Sequence, residues 1–278
     1  MPVIHEERPP AADGSPQGAQ TGGGVLLEVA YDGTAFHGWS AQGGTRTVQD
    51  TLHSALRAMD PNASAVRGAS RTDAGVHAEG QLAAFDSVRN IPARGWVLGL
   101  NKHLPDDVAV RAARPVPLGF APRFAARGKR YRYRLLVDRV RDPRWRTRAW
   151  RVPELDFDAL AGEAKGALGT HDFASFRASR DERTSTVRTL LRVDIERGAD
   201  PRVVGVVVEG NAFLYNMVRI LVGTMVDVAR ARLEEGAVAR AIAACDRRAA
   251  GTTAPSHGLS LERVDVDLPE GTGERWPR

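Results

Sequence analysis

A run of small and polar residues from 68 to 77 surrounds a single carboxylate. It spells Gly-Ala-Ser-Arg-Thr-Asp-Ala-Gly-Val-His, so Asp73 has Arg71 two residues before it and Gly75 two residues after it. Small residues let a backbone turn tightly and leave room for a ligand. A neighbouring arginine favours the ionised carboxylate and lowers its pKa by about one to three units where the two side chains meet. Asp73 therefore suits a nucleophile or a general base, and the pattern is also typical of a turn whose aspartate caps a backbone amide.

The residues around this run predict that it forms a loop between two strands. Strand patterns occupy residues 64–66 before it and 81–85 after it. Loops held by a rigid scaffold commonly carry the chemistry of a protein. The other predicted elements of this half are a strand at 25–31, helices at 47–59 and 93–100, and a strand at 108–112. The resulting order of strand, helix, strand, strand, helix, strand is the ferredoxin-like arrangement.

The second half of the chain repeats this mixture of strands and helices. An apolar helix is predicted from residue 211 to about 232, with its polar positions on one side at helical spacing. Those polar positions are Asn216, Arg219, Gly223 and Asp227. The other predicted elements are helices at 156–168 and 237–248 and strands at 189–196, 203–209 and 259–266. The predicted fold class is therefore α/β (α+β), built as two similar ferredoxin-like units with mostly antiparallel sheets.

We expect two domains that meet near residue 127. The N-terminal α/β domain covers residues 25–127 and carries the Asp73 loop, and the C-terminal α/β domain covers residues 128–268. Residues 1–24 are rich in proline, glycine, alanine and glutamine and lack apolar periodicity, so a disordered tail is expected there. Residues 269–278 are expected to form a loose C-terminal tail.

A strongly basic segment spans residues 123–151, with twelve basic and two acidic residues. Within it two tyrosines, Tyr131 and Tyr133, alternate with three arginines, which predicts a strand with the tyrosines on one face and the arginines on the other. Tyrosines that back a row of arginines suit base stacking beside phosphate contacts, whereas a merely solvated charged face is the other interpretation. The residues predicted to bind RNA are Lys129, Arg130, Arg132 and Arg134.

The overall composition also favours a polyanionic partner. The formal net charge is +5, and only three of the 39 basic residues are lysines. Arginine binds phosphate in a forked geometry and stacks on bases, so an arginine-rich chain suits RNA better than a generic solubilising charge does.

The sequence argues against a membrane-spanning, a disulfide-bonded or a metal-dependent protein. No apolar run approaches the roughly 20 residues of a membrane span, and the first residues lack the pattern of a signal peptide. The single cysteine, Cys245, excludes an intramolecular disulfide and fits a reducing cytoplasm. The seven histidines are scattered, with none at metal-ligand spacing, so we predict no metal.

The run around Asp73 resembles the active-site motif of the tRNA pseudouridine synthase A (TruA) family. Residues 70–77 agree at seven of eight positions with the family string Gly-Arg-Thr-Asp-Ala-Gly-Val-His, and Gly80-Gln81 continues the match. Ser70 replaces the usual glycine, a small-for-small change to which we assign no consequence. Further family motifs follow in the family's order: Gly38-Trp39 with Gln42, residues 99–105, the Arg-Tyr-Arg-Tyr pattern at 130–133, residues 171–177 and Met-Val-Arg at 217–219.

This resemblance implies an enzyme that isomerises uridine to pseudouridine at positions 38 to 40, in the anticodon arm of tRNA. It implies an active-site cleft between the two halves, no cofactor, and a homodimer whose subunits share one tRNA. By the motif positions, Asp73 is the catalytic nucleophile and Tyr131 is the tyrosine that stacks on the uracil. Arg71 would fill the gap left by the flipped nucleotide, and Arg219 would contact the catalytic carboxylate.

Two binding functions compete with the catalytic one. A non-catalytic tRNA-binding protein could use the same scaffold, but simple binding would not require a lone carboxylate that faces RNA phosphate. A sheet-face RNA-recognition module would need aromatic residues in a Lys/Arg-Gly-Phe-like central strand, and the chain has none. The combination of Asp73, Tyr131 and Arg219 therefore favours catalysis.

Overall fold

The structure is a computed structural model that describes residues 22–178 and 184–269. Its strands are β1 (Gly23–Tyr31), β2 (Arg67–Gly68), β3 (His77–Ser87), β4 (Val108–Val116), β5 (Ala126–Val137), β6 (Trp150–Val152), β7 (Gly169–Asp172), β8 (Val187–Arg197), β9 (Val203–Gly210) and β10 (Leu259–Val266). Its α-helices are α1 (Val48–Met59), α2 (Ala93–His103), α3 (Pro122–Ala125), α4 (Phe157–Gly166), α5 (Met217–Ala229) and α6 (Ala237–Ala244). The predicted mixed α/β fold class is confirmed.

The strands of both halves form one continuous sheet, ordered β4-β1-β3-β10-β5-β9-β8-β7, with β2 on β3 and β6 on β5. Pairing is antiparallel except between β10 and β3 and between β5 and β6. The last strand of the chain, β10, lies between β3 of the first half and β5 of the second. The sheet is thus mostly antiparallel as predicted, and the division into domains at residue 127 stays a prediction.

Strand β5 shows the alternation that its sequence predicts. Tyr131, Tyr133 and Leu135 are buried, and the arginines between them are half-buried. The tyrosine side belongs to a hydrophobic core that runs without interruption through both halves of the chain. The sheet therefore presents a packed face and a charged face along β5.

The largest differences from the predicted elements lie at the ends of helices. Helix α5 begins at Met217 rather than at residue 211, because Asn216 has a left-handed backbone with a φ of 61° that a right-handed helix cannot include. Helix α6 ends at Ala244 rather than at residue 248, because Cys245 also has a positive φ.

The ordered sheet begins slightly before the expected boundary at residue 25. Gly23 and Gly24 are part of β1 and pair with Ser87 and Asp86. The rest of the predicted N-terminal tail, residues 1–21, lies outside the described residues, as do residues 270–278 of the predicted C-terminal tail.

A glycine in α5 lets a later segment of the chain lie directly on that helix. A Cβ atom at Gly223 would overlap the carbonyl oxygen of Thr252, and it would lie 3.0 Å from the backbone nitrogen of Ala254. Backbone atoms cannot swing aside as a side-chain tip can, so this close approach requires glycine.

We expect Gly223→Ala to lower the free energy of unfolding by about 1 to 3 kcal/mol, because the added methyl group overpacks the contact with residues 252–254. Gly162→Ala is the matched control, since Gly162 lies exposed in α4 with no neighbour within 4 Å of an added Cβ. That control should be neutral or stabilise by up to about 1 kcal/mol. Urea unfolding of both variants measures the difference, and equal effects would contradict the packing.

Candidate active site

The Asp73 loop, residues 69–76, is held by backbone hydrogen bonds to the segment after β1. The N–H of Trp39 donates to the carbonyl oxygen of Thr72, and the N–H of Gly75 donates to that of Phe36, both at 3.1 Å. The N–H of Val76 closes the turn onto the carbonyl oxygen of Asp73 at 3.1 Å. Gly75 adopts a φ of 77°, a conformation that suits glycine. The backbone on both sides of Asp73 is therefore fixed.

A buried glutamine fixes the start of the same loop. The side-chain oxygen of Gln81 accepts from the N–H of Ser70 at 3.1 Å, and its side-chain nitrogen donates to the carbonyl oxygen of Ser70 at 2.7 Å. Gln81 is fully buried within β3. In the sequence, Gln81 was identified only as an extension of the motif, although an amide among apolar strand residues is itself a signal of a buried polar contact.

A second buried contact lies under Thr72. The hydroxyl groups of Tyr31 and Thr72 are 2.7 Å apart. Burial raises the pKa of Tyr31 well above its ordinary value, with Asp73 and Tyr131 adding to the rise. Tyr31 is therefore protonated throughout the physiological pH range, and it supports the loop as a neutral hydrogen-bonding group.

Helix α5 brings Arg219 to Asp73, as the sequence analysis predicted from the motif. The guanidinium Nη1 of Arg219 lies 3.7 Å from Oδ2 of Asp73, and both side chains are less than one-fifth exposed. Nη1 also donates to Oδ1 of Asn216 at 2.9 Å, and Nε donates to the carbonyl oxygen of Ala254 at 2.8 Å. These contacts hold the guanidinium in place beside the carboxylate.

Tyr131 reaches the same loop from β5. Its hydroxyl lies 3.1 Å from the hydroxyl of Ser70, and its ring packs edge-on against Phe213 at 5.1 Å between centroids. Only 6% of Tyr131 is exposed, so the ring can be approached only from the cavity that it lines.

Asp73, Tyr131 and Arg219 line one open cavity of about 940 Å³, large enough for a nucleotide and its neighbours. Among the described residues that line it, Asp73 is the only acidic one. The basic and aromatic residues that share this lining with them are His37, Trp39, Arg71, Arg123, Lys129, Phe213 and Tyr215. The cavity thus combines one carboxylate with an excess of positive charge.

The arginines predicted to bind RNA lie on the other side of the sheet. Arg130, Arg132 and Arg134 alternate with Tyr131, and none of them lines the cavity. Of the four predicted RNA-binding residues of β5, Lys129 alone lines the cavity, because it shares the face of Tyr131.

Glutamates on the adjacent strand β10 and on strands β3 and β8, each two strands away from β5, meet these three arginines. Nε of Arg130 lies 2.7 Å from Oε2 of Glu262, and Nη1 of Arg132 lies 2.8 Å from Oε2 of Glu196. Nη2 of Arg134 lies 2.8 Å from Oε1 of Glu79. The hydrogen bond from Arg132 lowers the pKa of Glu196 below its ordinary value. Their positive charge is largely balanced within the protein, and the sequence could not show this because the glutamates come from other strands.

His77, the last residue of the motif, ties the end of the loop to three other segments. Its Nδ1 accepts from the N–H of Gly33 at 3.0 Å, and its Nε2 lies 2.8 Å from the carbonyl oxygen of Thr147 and 3.1 Å from that of His257. This pattern suits the tautomer with its proton on Nε2. His77 is therefore a structural residue behind the loop and does not line the cavity.

The described residues contain no group of three or more His, Cys, Asp or Glu side chains arranged to hold a metal ion. Within the same residues, no helix combines the length and the apolar character needed to cross a bilayer.

Comparison with known proteins identifies the family. The family model for tRNA pseudouridine synthase matches residues 28–125 and 164–267. A tRNA pseudouridine synthase A from Geobacter sp. is 43% identical over 86% of this chain and 97% of its own length. One from Myxococcus xanthus is 44% identical over 86% of this chain and 91% of its own length.

A solved structure, titled "Crystal Structure of a Cbf5-Nop10-Gar1 Complex", is 12% identical, with a TM-score of 0.35 over 86% of this chain and 58% of that chain. A likeness of that size does not bear on the assignment, which depends on the sequence matches. By its family model and its curated relatives, the chain belongs to the tRNA pseudouridine synthase family.

Proposed function

We propose that this chain isomerises uridine to pseudouridine in tRNA and that Asp73 is the catalytic carboxylate. One observation carries the proposal: Asp73 is the only acidic residue among the described residues that line the cavity, and it lies 3.7 Å from Arg219. A carboxylate repels phosphate, so a surface that only binds RNA gains nothing from this side chain. No observation favours the non-catalytic alternative.

The reaction breaks the bond between N1 of uracil and C1′ of ribose and forms a bond between C5 and C1′. Asp73 can attack the sugar or the base covalently, or it can remove a sugar proton to give a glycal to which the base adds back. In either route the new C5 centre loses its proton and N1 gains one, so the overall change is an isomerisation. One oriented, ionised carboxylate serves both routes.

The neighbouring residues suit the remaining steps. Tyr131 lies beside the loop, where its ring can stack on the uracil and its oxygen can accept the C5 proton. Arg219 favours the ionised form of Asp73 through the contact between the guanidinium and the carboxylate. Arg71 is exposed at the cavity and can fill the space left by the flipped nucleotide, since a base within a helix cannot otherwise be reached.

The anticodon arm of tRNA, at positions 38 to 40, is the proposed site of modification. The resemblance of residues 70–77 to the family motif supports this choice, and the basic lining of the cavity suits a phosphate backbone. We propose Arg71, Arg123 and Lys129 as the nearest phosphate contacts of the cavity, with Arg130, Arg132 and Arg134 as a second set on the opposite face.

We also propose that the protein acts in the cytoplasm as a homodimer. The single cysteine and the resemblance to the family support these two assignments. Large apolar side chains at the surface, including Phe124 at 87% exposed and Leu191 at 70%, are candidates for burial by a second copy. Analytical ultracentrifugation tests this proposal, and a monomer at micromolar concentration would contradict it.

Asp73→Asn tests the catalytic proposal. Asparagine has nearly the same size, so we expect an unchanged melting temperature, tRNA binding at least as tight as in the parent, and pseudouridine formation reduced to background. An asparagine caps a turn nearly as well as an aspartate does, so a capping role would leave activity intact. Asp106→Asn, at an exposed carboxylate outside the cavity, is the control for the change in net charge and should remain active. Substantial product from Asp73→Asn would end the assignment.

Two triple variants locate the phosphate contacts. Replacing Arg71, Arg123 and Lys129 by glutamine should weaken tRNA binding and reduce the slope of log affinity against log salt, by about 0.7 to 0.9 for each lost phosphate contact. The same replacement of Arg130, Arg132 and Arg134 should change the slope less, because glutamates already balance those charges. Binding titrations at several salt concentrations measure both slopes, and a larger change for the second set would assign RNA binding to the opposite face.

A further inference from the structure

Ser70 contacts the proposed active-site tyrosine. The hydroxyl oxygens of Ser70 and Tyr131 are 3.1 Å apart, and the two residues are only 5% and 6% exposed. The family motif usually has glycine at the position of Ser70, and glycine has no side chain that could make this contact. From the sequence alone the difference has no expected consequence, whereas the structure shows a specific hydrogen bond.

The backbone of Ser70 is fixed by hydrogen bonds to buried neighbours. Gln81 bonds both the N–H and the carbonyl oxygen of Ser70, at 3.1 Å and 2.7 Å. The N–H of Ala69 bonds the carbonyl oxygen of Leu82 at 2.8 Å. With the backbone held on both sides, the direction of the bond from Cα to Cβ is also set. The Cβ atom of Ser70 is therefore held beside Tyr131, and the hydroxyl reaches the tyrosine oxygen by rotation about the Cα–Cβ bond alone.

We propose that Ser70 is a positioning residue, whose hydroxyl donates a hydrogen bond to the oxygen of Tyr131 and directs that oxygen towards the base in the cavity. This inference rests on the role proposed for Tyr131. To accept a proton from C5, Tyr131 must be a phenolate. The proton then moves to the phenolate oxygen, and the electron pair of the C–H bond restores the double bond between C5 and C6.

A hydrogen bond from Ser70 stabilises the phenolate more than the neutral phenol, because hydrogen bonds to charged acceptors are the stronger ones. Ser70 would thereby raise the fraction of Tyr131 that is ready to accept the proton. The bond also limits movement of the tyrosine ring, so fewer positions of the phenolate oxygen compete with the productive one. Both effects act on turnover and leave the contacts that bind tRNA unchanged.

The test is a double-mutant cycle with Ser70→Ala, Tyr131→Phe and the combined variant, assayed by single-turnover pseudouridine formation between pH 6 and pH 10. In the parent background, Ser70→Ala should reduce the rate by about two- to tenfold without changing the tRNA dissociation constant. In the plot of rate against pH, the rising limb of the Ser70→Ala variant should lie about 0.5 to 1 pH unit higher than that of the parent. In the Tyr131→Phe background, where no hydroxyl remains to be positioned, Ser70→Ala should have no further effect.

Ser175→Ala is the matched control, because Ser175 is also a buried serine whose hydroxyl donates a hydrogen bond, to the carbonyl oxygen of Ala241 at 2.6 Å. It does not line the cavity, and it should lower the melting temperature without moving the pH limb. If Ser70→Ala folds poorly, Ser70→Gly, which places the family's usual residue there, takes its position in the cycle.

The outcomes separate this inference from the proposed function. If the Tyr131→Phe variant is slow and the Ser70→Ala single variant is as fast as the parent, the proposed role of Ser70 is wrong and that of Tyr131 stands. Equal losses from Ser70→Ala in both backgrounds, or an unmoved pH limb, would also overturn it, because a purely structural role predicts them. A Tyr131→Phe variant as fast as the parent would remove the proposed role of Tyr131, and the inference with it.

Discussion

The contact between the carboxylate of Asp73 and the guanidinium of Arg219 is the interaction on which the rest of the site depends. A partly buried carboxylate is unfavourable unless an opposite charge or hydrogen bonds compensate it. Arg219 of helix α5 supplies the opposite charge. Residues 252–254 pack closely against Gly223 of the same helix, and the carbonyl oxygen of Ala254 accepts a hydrogen bond from Nε of Arg219. The side chain of Arg219 thus links the packing of α5 to the ionisation of Asp73.

The order of strands in the sheet explains how distant residues meet in one cavity. Strand β10 lies between β3, which follows the Asp73 loop, and β5, which carries Tyr131. This insertion joins the two halves of the chain and sets the spacing between loop and tyrosine. The same pairing brings Glu262 of β10 onto the arginines of β5, so the face opposite the cavity is held together by ion pairs.

Local patterns in the sequence predicted much of the fold. The resemblance to the family motif predicted that Arg219 contacts Asp73 and that these residues lie in a cleft. The alternation in β5 was predicted because period-two burial is a property of neighbouring residues. The partners of Arg130, Arg132 and Arg134 could not be predicted, because they lie on strands whose pairing partners a single sequence does not reveal. The contact of Ser70 could not be predicted for a similar reason: its hydroxyl meets that of Tyr131, which is 61 residues away in the chain.

The most direct test of the central claim is the pH dependence of single-turnover pseudouridine formation by the parent and by Arg219→Gln, at saturating enzyme. If Arg219 keeps Asp73 ionised, its loss should move the acid limb of the profile to higher pH by about one unit, since an adjacent guanidinium lowers a carboxylate pKa by at least that much. The rate on the plateau above that limb should change less. An acid limb at the same pH in both proteins would contradict the account.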